Sequence, residues 1–288
     1  MSAQRLKWVL LIVLALIWGS SFILIKRGLV ALTPFQLGSL RIIFAALFLL
    51  VIGLKSLTLI PLGKWKFIIL TALCGTFLPV YLFSFAQTEI NSSVSAILNS
   101  LTPLYTLLLG AFAFGLIFER RQFFGVVIGL IGCMLLIFNG AINNPGQNYY
   151  YAILVVIASV CYAVNVNLIK KHLSDLSPLS ITTGNFAALL IPAMIVLSFS
   201  DFFGVAAQPE VQHSIWFIVV LGVVGTGIAN IIFFKLIQMS SPIFASSVTY
   251  LIPIVAFFWG LVDNESLTLV QFLGAFIILF GVYLSAKK

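Results

Sequence analysis

Residues 16–26 read LIWGSSFILIK. Most of the stretch is apolar. Its middle nevertheless carries an indole, a glycine and two hydroxyls (Trp18, Gly19, Ser20, Ser21), and Lys26 closes it. How it is read depends on the solvent around it, and the composition of the whole chain decides that. Of 288 residues, 62% are hydrophobic and 8% charged, with a mean hydropathy of +1.20. Soluble domains are roughly 25% charged, so most of this chain cannot face water. A hydrocarbon core about 30 Å thick needs about 20 apolar residues per helical span. Ten such runs are marked out by polar breaks, near 8–26, 34–54, 66–86, 93–114, 122–139, 149–169, 178–199, 214–235, 243–262 and 268–286. The expectation is an all-α integral membrane protein of ten transmembrane helices. No soluble domain is left over, because the longest connection is only 200–213. The first run could be a signal peptide with Arg5 and Lys7 as its basic start. It is about twice the usual length and no small-residue cleavage site follows, so it is read as a retained helix.

Charge gives the orientation. With the N-terminus inside, the inner ends and loops hold twelve cations: Arg5, Lys7, Lys55, Lys64, Lys66, Arg120, Arg121, Lys170, Lys171, Lys235, Lys287 and Lys288. The outer ends hold two, Lys26 and Arg27. Cations mark the cytoplasmic side, so a multi-pass protein of the inner (cytoplasmic) membrane with both termini cytoplasmic is expected. The formal charge of +8 then reflects topology and calls for no nucleic acid. Cys74, Cys133 and Cys161 fall singly within spans and read as small buried apolar residues.

The chain also repeats itself. At an offset of 144, Leu24-Ile25-Lys26 matches Leu168-Ile169-Lys170, and Thr33-Pro34 matches Ser177-Pro178. At 150, Gly75-Thr76 matches Gly225-Thr226, Phe83 matches Phe233, and Pro103 matches Pro253. At 149, Gln122-Phe123 matches Gln271-Phe272. Residues 1–142 and 143–288 therefore read as two copies of a five-helix unit. Five is odd, so the second copy is inverted relative to the first. Inverted repeats suit alternating access to a central site. In that frame the opening stretch makes sense. Gly19, Ser20 and Ser21 form a thin stripe that lets a neighbouring helix or a cavity approach. Trp18 lies about 12 Å from Lys26 at about 1.5 Å per residue, near mid-membrane, where an indole better faces a cavity or the bundle than lipid. Its counterpart in the second copy is Tyr162, and Asn165 replaces Ser21.

LIWGSSFILIK, TPFQLGSLRIIFAALFLL (33–50) and SSVSAILNSLTPLYTLLLGAF (92–112), with SSPIFASSVTYLIPIVAFFWG (240–260) and ESLTLVQFLGAFIILFGVYL (265–284) in the second half, resemble the EamA-type drug/metabolite transporter superfamily. The resemblance spans essentially the whole chain. It implies ten helices, cytoplasmic termini, a central substrate cavity, and export of amino acids or similar metabolites. One departure is visible: Glu265 precedes Gly274 by nine residues, whereas Glu119 precedes Gly125 by only six.

Several polar residues are candidates for the cavity. Arg41 is the one cation well inside a span, about 10 Å deep at about 1.5 Å per residue. Such a charge is a functional hypothesis by default. It could bind a substrate carboxylate, or else snorkel outward, pair with Glu89 or cap carbonyls. Its repeat partner is the neutral Asn185. Asn99 pairs with Thr249 and Ser100 with Tyr250, just before Pro103 and Pro253, where each proline frees a carbonyl one turn earlier. Asn230 is a membrane amide in need of partners. Trp18, Tyr81 and Asn165 complete the substrate-binding set of Asn99, Thr249, Tyr250, Asn230 and Arg41, with Tyr105 and Asn167 as weaker members. Many of the 27 phenylalanines simply face lipid.

Other classes fit less well. His172, His213, Asp175, Asp201 and Asp263 fall at span ends or in loops, so no catalytic set remains within the spans for an intramembrane enzyme. There is no phosphate-binding G-x-x-x-x-G-K-[ST] loop. A channel-like facilitator or a lipid flippase or scramblase of the same architecture stays as the alternative. The reading is a secondary transporter of small molecules with no cofactor or metal, working as a monomer or weak homodimer. No span carries a central Asp, Glu or His, so facilitated diffusion or exchange without proton coupling is expected. Glu89 is the residue that would change this if it turned inward.

Overall fold

The computed structural model describes residues 2–90, 92–115, 119–143, 148–262 and 269–286. Every regular element among them is helical. α1 (Ala3–Gly28) and α2 (Pro34–Gly53) are single helices. α3 is a composite of Trp65–Ala72 and Leu78–Ala86 joined through a widened π turn, Leu73–Phe77. α4 joins Ser92–Leu98 to Thr102–Phe114 through a tight 3-10 turn, Asn99–Leu101. Then follow α5 (Arg120–Asn143), α6 (Ala152–His172) and α7 (Pro178–Ser198). α8 joins Pro209–Gly222 to Ala229–Met239 through a second π turn, Val223–Ile228. α9 consists of Pro242–Ser246 and Val248–Val262, and α10 is Leu269–Ala286. Among the described residues, seven helical stretches are long and apolar enough to cross a membrane: Ala3–Gly28, Pro34–Leu59, Leu62–Ala86, Ser95–Phe114, Ala152–His172, Pro178–Ser198 and Pro209–Met239. Pro242–Ala256 is a shorter apolar helix.

The helix starts follow from local chemistry. Thr33 caps α2, accepting from Gln36 N at 3.3 Å while Gln36 Oε1 accepts from Thr33 N at 2.9 Å. This reciprocal pair satisfies two donors that the first turn leaves unpaired, and Pro34 gives up no needed N–H at the first helical position. Ser177 and Pro178 start α7 in the same way, with Ser177 Oγ accepting from Ser180 N at 3.0 Å. Ser241 and Pro242 start α9, with the bond from Phe244 N at 3.2 Å. Gly115 ends α4 at φ 63°, a left-handed cap that only glycine adopts without strain.

The packing places α5 against α10 at the edge and α2 against α7, with α1 on α9 and α4 on α6. The α5–α10 crossing is tight. A Cβ on Gly281 would lie 2.6 Å from Gly129 N and 2.7 Å from Gly125 O, an approach that small residues allow between membrane helices. Within the bundle, Leu11, Ile68, Ile169, Phe234, Ile237 and their neighbours form one apolar cluster. Ile42, Ala45, Leu49, Phe186 and Leu189 form another between α2 and α7. On the outside, Val51, Phe112, Phe199, Trp216 and Leu269 stand exposed. The backbone polar groups are tied up within helices and the outer face is apolar, which is the arrangement hydrocarbon demands.

One sequence expectation needs refining here. Cys74 on α3 and Cys161 on α6 are half-buried free thiols rather than fully buried apolar residues. The Cys133 side chain, Asp263 and Glu265 lie outside the described residues.

Candidate functional site

α1, α2, α3, α4, α6, α8 and α9 enclose one cavity of about 800 Å³, counted out to its mouth. Most of its wall comes in repeat-related pairs. Trp18 faces it with Tyr162, Ser21 with Asn165, Gly75-Thr76 with Gly225-Thr226, Phe83 with Phe233, and Asn99 with Thr249. α5 and α10 contribute no described lining residue.

The two π turns shape the site. A π turn leaves backbone groups off the regular i→i−4 ladder, and such turns recur at functional sites. In α8, the freed Gly225 carbonyl accepts the Trp18 indole N–H at 3.0 Å. Trp18 also meets the Phe233 ring edge-on, with centroids 4.9 Å apart. The indole of the opening stretch therefore borders the cavity and pins α1 to the α8 turn. Thr226 Oγ1 donates to Leu221 O at 2.9 Å, five residues back. It accepts from Arg41 Nε at 2.7 Å. In α3, the Asn165 carboxamide lies against Gly75, where a Cβ would come within 2.6 Å of it. Gly225 is set against Ser21 Oγ in the same manner, at 2.9 Å. Both glycines are required by close approach.

The proline-freed carbonyls expected at Asn99 and Thr249 are both satisfied by hydroxyls. Thr102 Oγ1 donates to Asn99 O at 2.7 Å, and Ser100 Oγ donates to Thr249 O at 2.8 Å, which also ties α4 to α9. Asn99, Thr249, Asn230, Trp18, Arg41 and Asn165 all border the cavity. The structure places the other candidates elsewhere. Tyr250 is fully buried; its ring lies against Gly129 and its hydroxyl donates to Val126 O at 3.2 Å. Tyr81 shares a 2.8 Å hydrogen bond with Ser39. Asn167 donates to Thr106 O and Ala163 O. Tyr105 is absent from the lining. The residues not singled out in advance are Thr102, Ser246 and the apolar wall of Phe22, Ile25, Val80 and Ile252. Helical spacing from known members could have found two of them, since Thr102 is three residues after Asn99 and Ser246 three before Thr249.

Arg41 is the only charged side chain on the described lining and is 9% exposed. Among the described residues no carboxylate pairs with it, and Glu89 is exposed just past the C-terminal end of α3. Its repeat partner Asn185 is fully buried. In its satisfied orientation the Asn185 amide nitrogen donates to Ile181 O at 3.1 Å and to Ile68 O and Thr71 Oγ1 at 3.0 Å. Among the described residues no cluster of His, Cys, Asp and Glu is arranged to hold a metal ion.

Comparison with known proteins adds the following. The family model described as the EamA-like transporter family matches twice, over residues 6–138 and 150–287. An uncharacterized transporter of Archaeoglobus fulgidus is 26% identical over 98% of this chain and 99% of its own length. A probable amino-acid metabolite efflux pump of Escherichia coli (strain K12) is also 26% identical, over 98% of this chain and 95% of its own. The uncharacterized inner membrane transporter YedA of the same organism is 27% identical over 95% of this chain and 88% of its own. A solved crystal structure superimposes with a TM-score of 0.72 at 16% identity, over 96% of this chain and 95% of that one, which is a likeness of fold.

Proposed function

The chain belongs to the EamA-like transporter family, and on that premise we propose how this membrane transporter works: it exports small organic metabolites, amino acids among them, by alternating access through the central cavity. The observation that carries the reading is the pairing of the cavity wall. The π turns at Leu73–Phe77 and Val223–Ile228 stand at the same offset of 150 as the sequence repeat. The helix contacts also come in mates: α1 on α9 answers α4 on α6, and α2 meets α7 as α5 meets α10. Two halves of like build can exchange their conformations around a fixed site. The double match of the family model supports the same division, into residues 1–142 and 143–288. In this reading α1 to α10 all span the bilayer, the halves are inverted, and both termini are cytoplasmic. The substrate lies among Trp18, Arg41, Asn99, Asn165, Asn230 and Thr249. Supporting export is the name of the Escherichia coli relative, a probable amino-acid metabolite efflux pump.

The cavity's described lining holds no Asp, Glu or His, which supports facilitated diffusion or exchange without obligatory proton coupling. The test is counterflow of labelled amino acids in proteoliposomes. Saturable exchange is expected, and a pH gradient alone, with membrane potential clamped, should drive no uphill accumulation. Flux that never saturates would favour a channel, and lipid movement without metabolite counterflow a scramblase. Accumulation abolished by Glu89→Gln would make Glu89 a coupling residue.

A further inference from the structure

Arg41 carries information about the ligand that the family resemblance does not. We propose that the cavity selects ligands bearing a single carboxylate, zwitterions included, with Arg41 as the group that binds it, and that it rejects the matching amides and amines. The proposal rests on the cavity being the transport site.

A guanidinium stays charged in a protein, and a charge in the bilayer interior is costly unless something answers it. Among the described residues no acidic group does so. Arg41 spends its Nε on Thr226, and neither terminal nitrogen has a hydrogen-bond partner among the described residues. Thr226 is fixed as an acceptor because its own proton goes to Leu221 O. The guanidinium is thus held from one edge at the cavity wall, and its paired terminal nitrogens form the fork that matches a carboxylate.

The fold itself does not call for a cation at this place. In the other half the equivalent position is Asn185, neutral and satisfied by Ile68, Thr71 and Ile181. The charge is therefore an addition to one half of a symmetric frame. One cation matches one negative charge. A phosphate monoester would bring a second charge with no second cation on the described lining. An amine-only ligand would meet a like charge and no described acid. Phe22, Phe83, Phe233 and Val80 border the same space and suit an apolar body.

The test labels arginines in the full-length protein in lipid nanodiscs with phenylglyoxal and reads each site by peptide mass spectrometry. The probes are hexanoate, 3-phenylpropionate and L-leucine, matched with hexanamide, 3-phenylpropionamide, leucinamide and hexylamine. The carboxylates should slow modification of Arg41 at least fivefold and leave Arg5, Arg120 and Arg121 unaffected; the amides and hexylamine should protect nothing. Equal protection by amides and acids, or protection by none of the probes, overturns the proposal. Counterflow of the same compounds in proteoliposomes separates it from the transport reading. Protection without counterflow leaves the carboxylate site standing and removes the transport role. Counterflow of leucinamide or hexylamine as fast as that of the acids does the reverse. Arg41→Gln should lower carboxylate counterflow at least tenfold. Arg41→Lys keeps the charge and should retain the preference for acid over amide; if it loses that preference while remaining folded, the charge is not what selects.

Discussion

The bulged helices α3 and α8 occupy equivalent places in the two halves and are built alike, with a Gly-Thr pair inside a π turn at the cavity wall. They differ in what docks onto them. The α8 turn receives the Trp18 indole on Gly225 O and the Arg41 guanidinium on Thr226. The α3 turn faces Tyr162 and the Asn165 amide, and one helical turn before it Thr71 hydrogen-bonds to Asn185. The two turns share a backbone form and differ in their side-chain partners. In the proposed reading of two inverted halves, the shared form serves the exchange of shapes and the unlike partners set the polarity of the site.

The largest effect expected from breaking this comparison is at the glycines, and it should be unequal. At Gly75 all three nearest atoms to an added Cβ belong to the planar Asn165 amide, at 2.6 to 2.7 Å, and Asn165 is 2% exposed. An added methyl would push this lining amide into the cavity. At Gly225 the nearest atom is the Ser21 hydroxyl at 2.9 Å, which can change rotamer. Gly75→Ala should lower counterflow at least tenfold, and Gly225→Ala by about threefold or less. Equal losses would mean that the two turns are held by the same kind of contact.

Next in size is Asn185. Removing this fully buried amide deletes its hydrogen bonds to Ile68 O, Ile181 O and Thr71 Oγ1, a cost of about 1–3 kcal/mol. Asn185→Ala should therefore lower thermal stability in detergent and leave acid-over-amide selection intact. A change in selection would move part of the charge recognition into the other half.

A smaller contrast lies between the two aromatic partners. Trp18→Phe deletes the bond to Gly225 O and should cost about 1 kcal/mol. Tyr162, its repeat mate, has no hydrogen bond among the described residues, so Tyr162→Phe should change stability by less than about 0.5 kcal/mol. Unfolding of the purified variants, followed by tryptophan-independent static light scattering, ranks the two.

Much of this was legible in the sequence because hydrocarbon makes simple demands. The apolar run at 34–54 became Pro34–Gly53, and the run at 178–199 became Pro178–Ser198, since a cap followed by proline announces each start. The cavity was legible wherever the repeat could be used: pairing Trp18 with Tyr162, and Asn99 with Thr249, picks out lining residues from both halves. Three kinds of feature were not legible. A π turn needs no unusual residue, so Gly75-Thr76 and Gly225-Thr226 stand out in the sequence only as matching pairs. Neighbours on a helix differ by about 100° in direction, so Thr249 reaches the cavity while Tyr250 points to Gly129. Partners far apart in sequence, such as Arg41 with Thr226 or Trp18 with Gly225, leave no trace in local spacing.

The smallest effect expected is at the starts of α3 and α8, which again use unlike chemistry for a like task. At the start of α3, Lys64 Nζ donates to His172 O at 2.6 Å and to Asp175 Oδ1 at 2.9 Å, tying α3 to the end of α6. Near the start of α8, at an offset of 150 from Lys64, Ser214 Oγ donates to Arg27 O at 3.4 Å, tying α8 to the end of α1. One tie is ionic and the other neutral, so only the first should respond to pH. The hydrogen bond from Lys64 holds the Asp175 carboxyl below the usual carboxylate range. A carboxyl depressed in the folded state contributes stability above its unfolded value, about 3.9, and loses it as pH falls through the lower folded value. Between pH 5 and 8 Asp175 should therefore contribute a constant amount, and the contribution should vanish only in stronger acid. The amount is small, because the Asp175 side chain is 60% exposed and exposed ion pairs give about 1 kcal/mol or less, screened further by salt. The check is the difference in melting temperature between the wild type and Asp175→Asn, which cancels the titration of nearby His172. That difference should be flat from pH 5 to 8 and shrink below pH 4 and in high salt, whereas Ser214→Ala should give a difference independent of both. A wild-type advantage that grows on acidification would show that Asp175 is not held by Lys64 in the protein as it sits in its membrane.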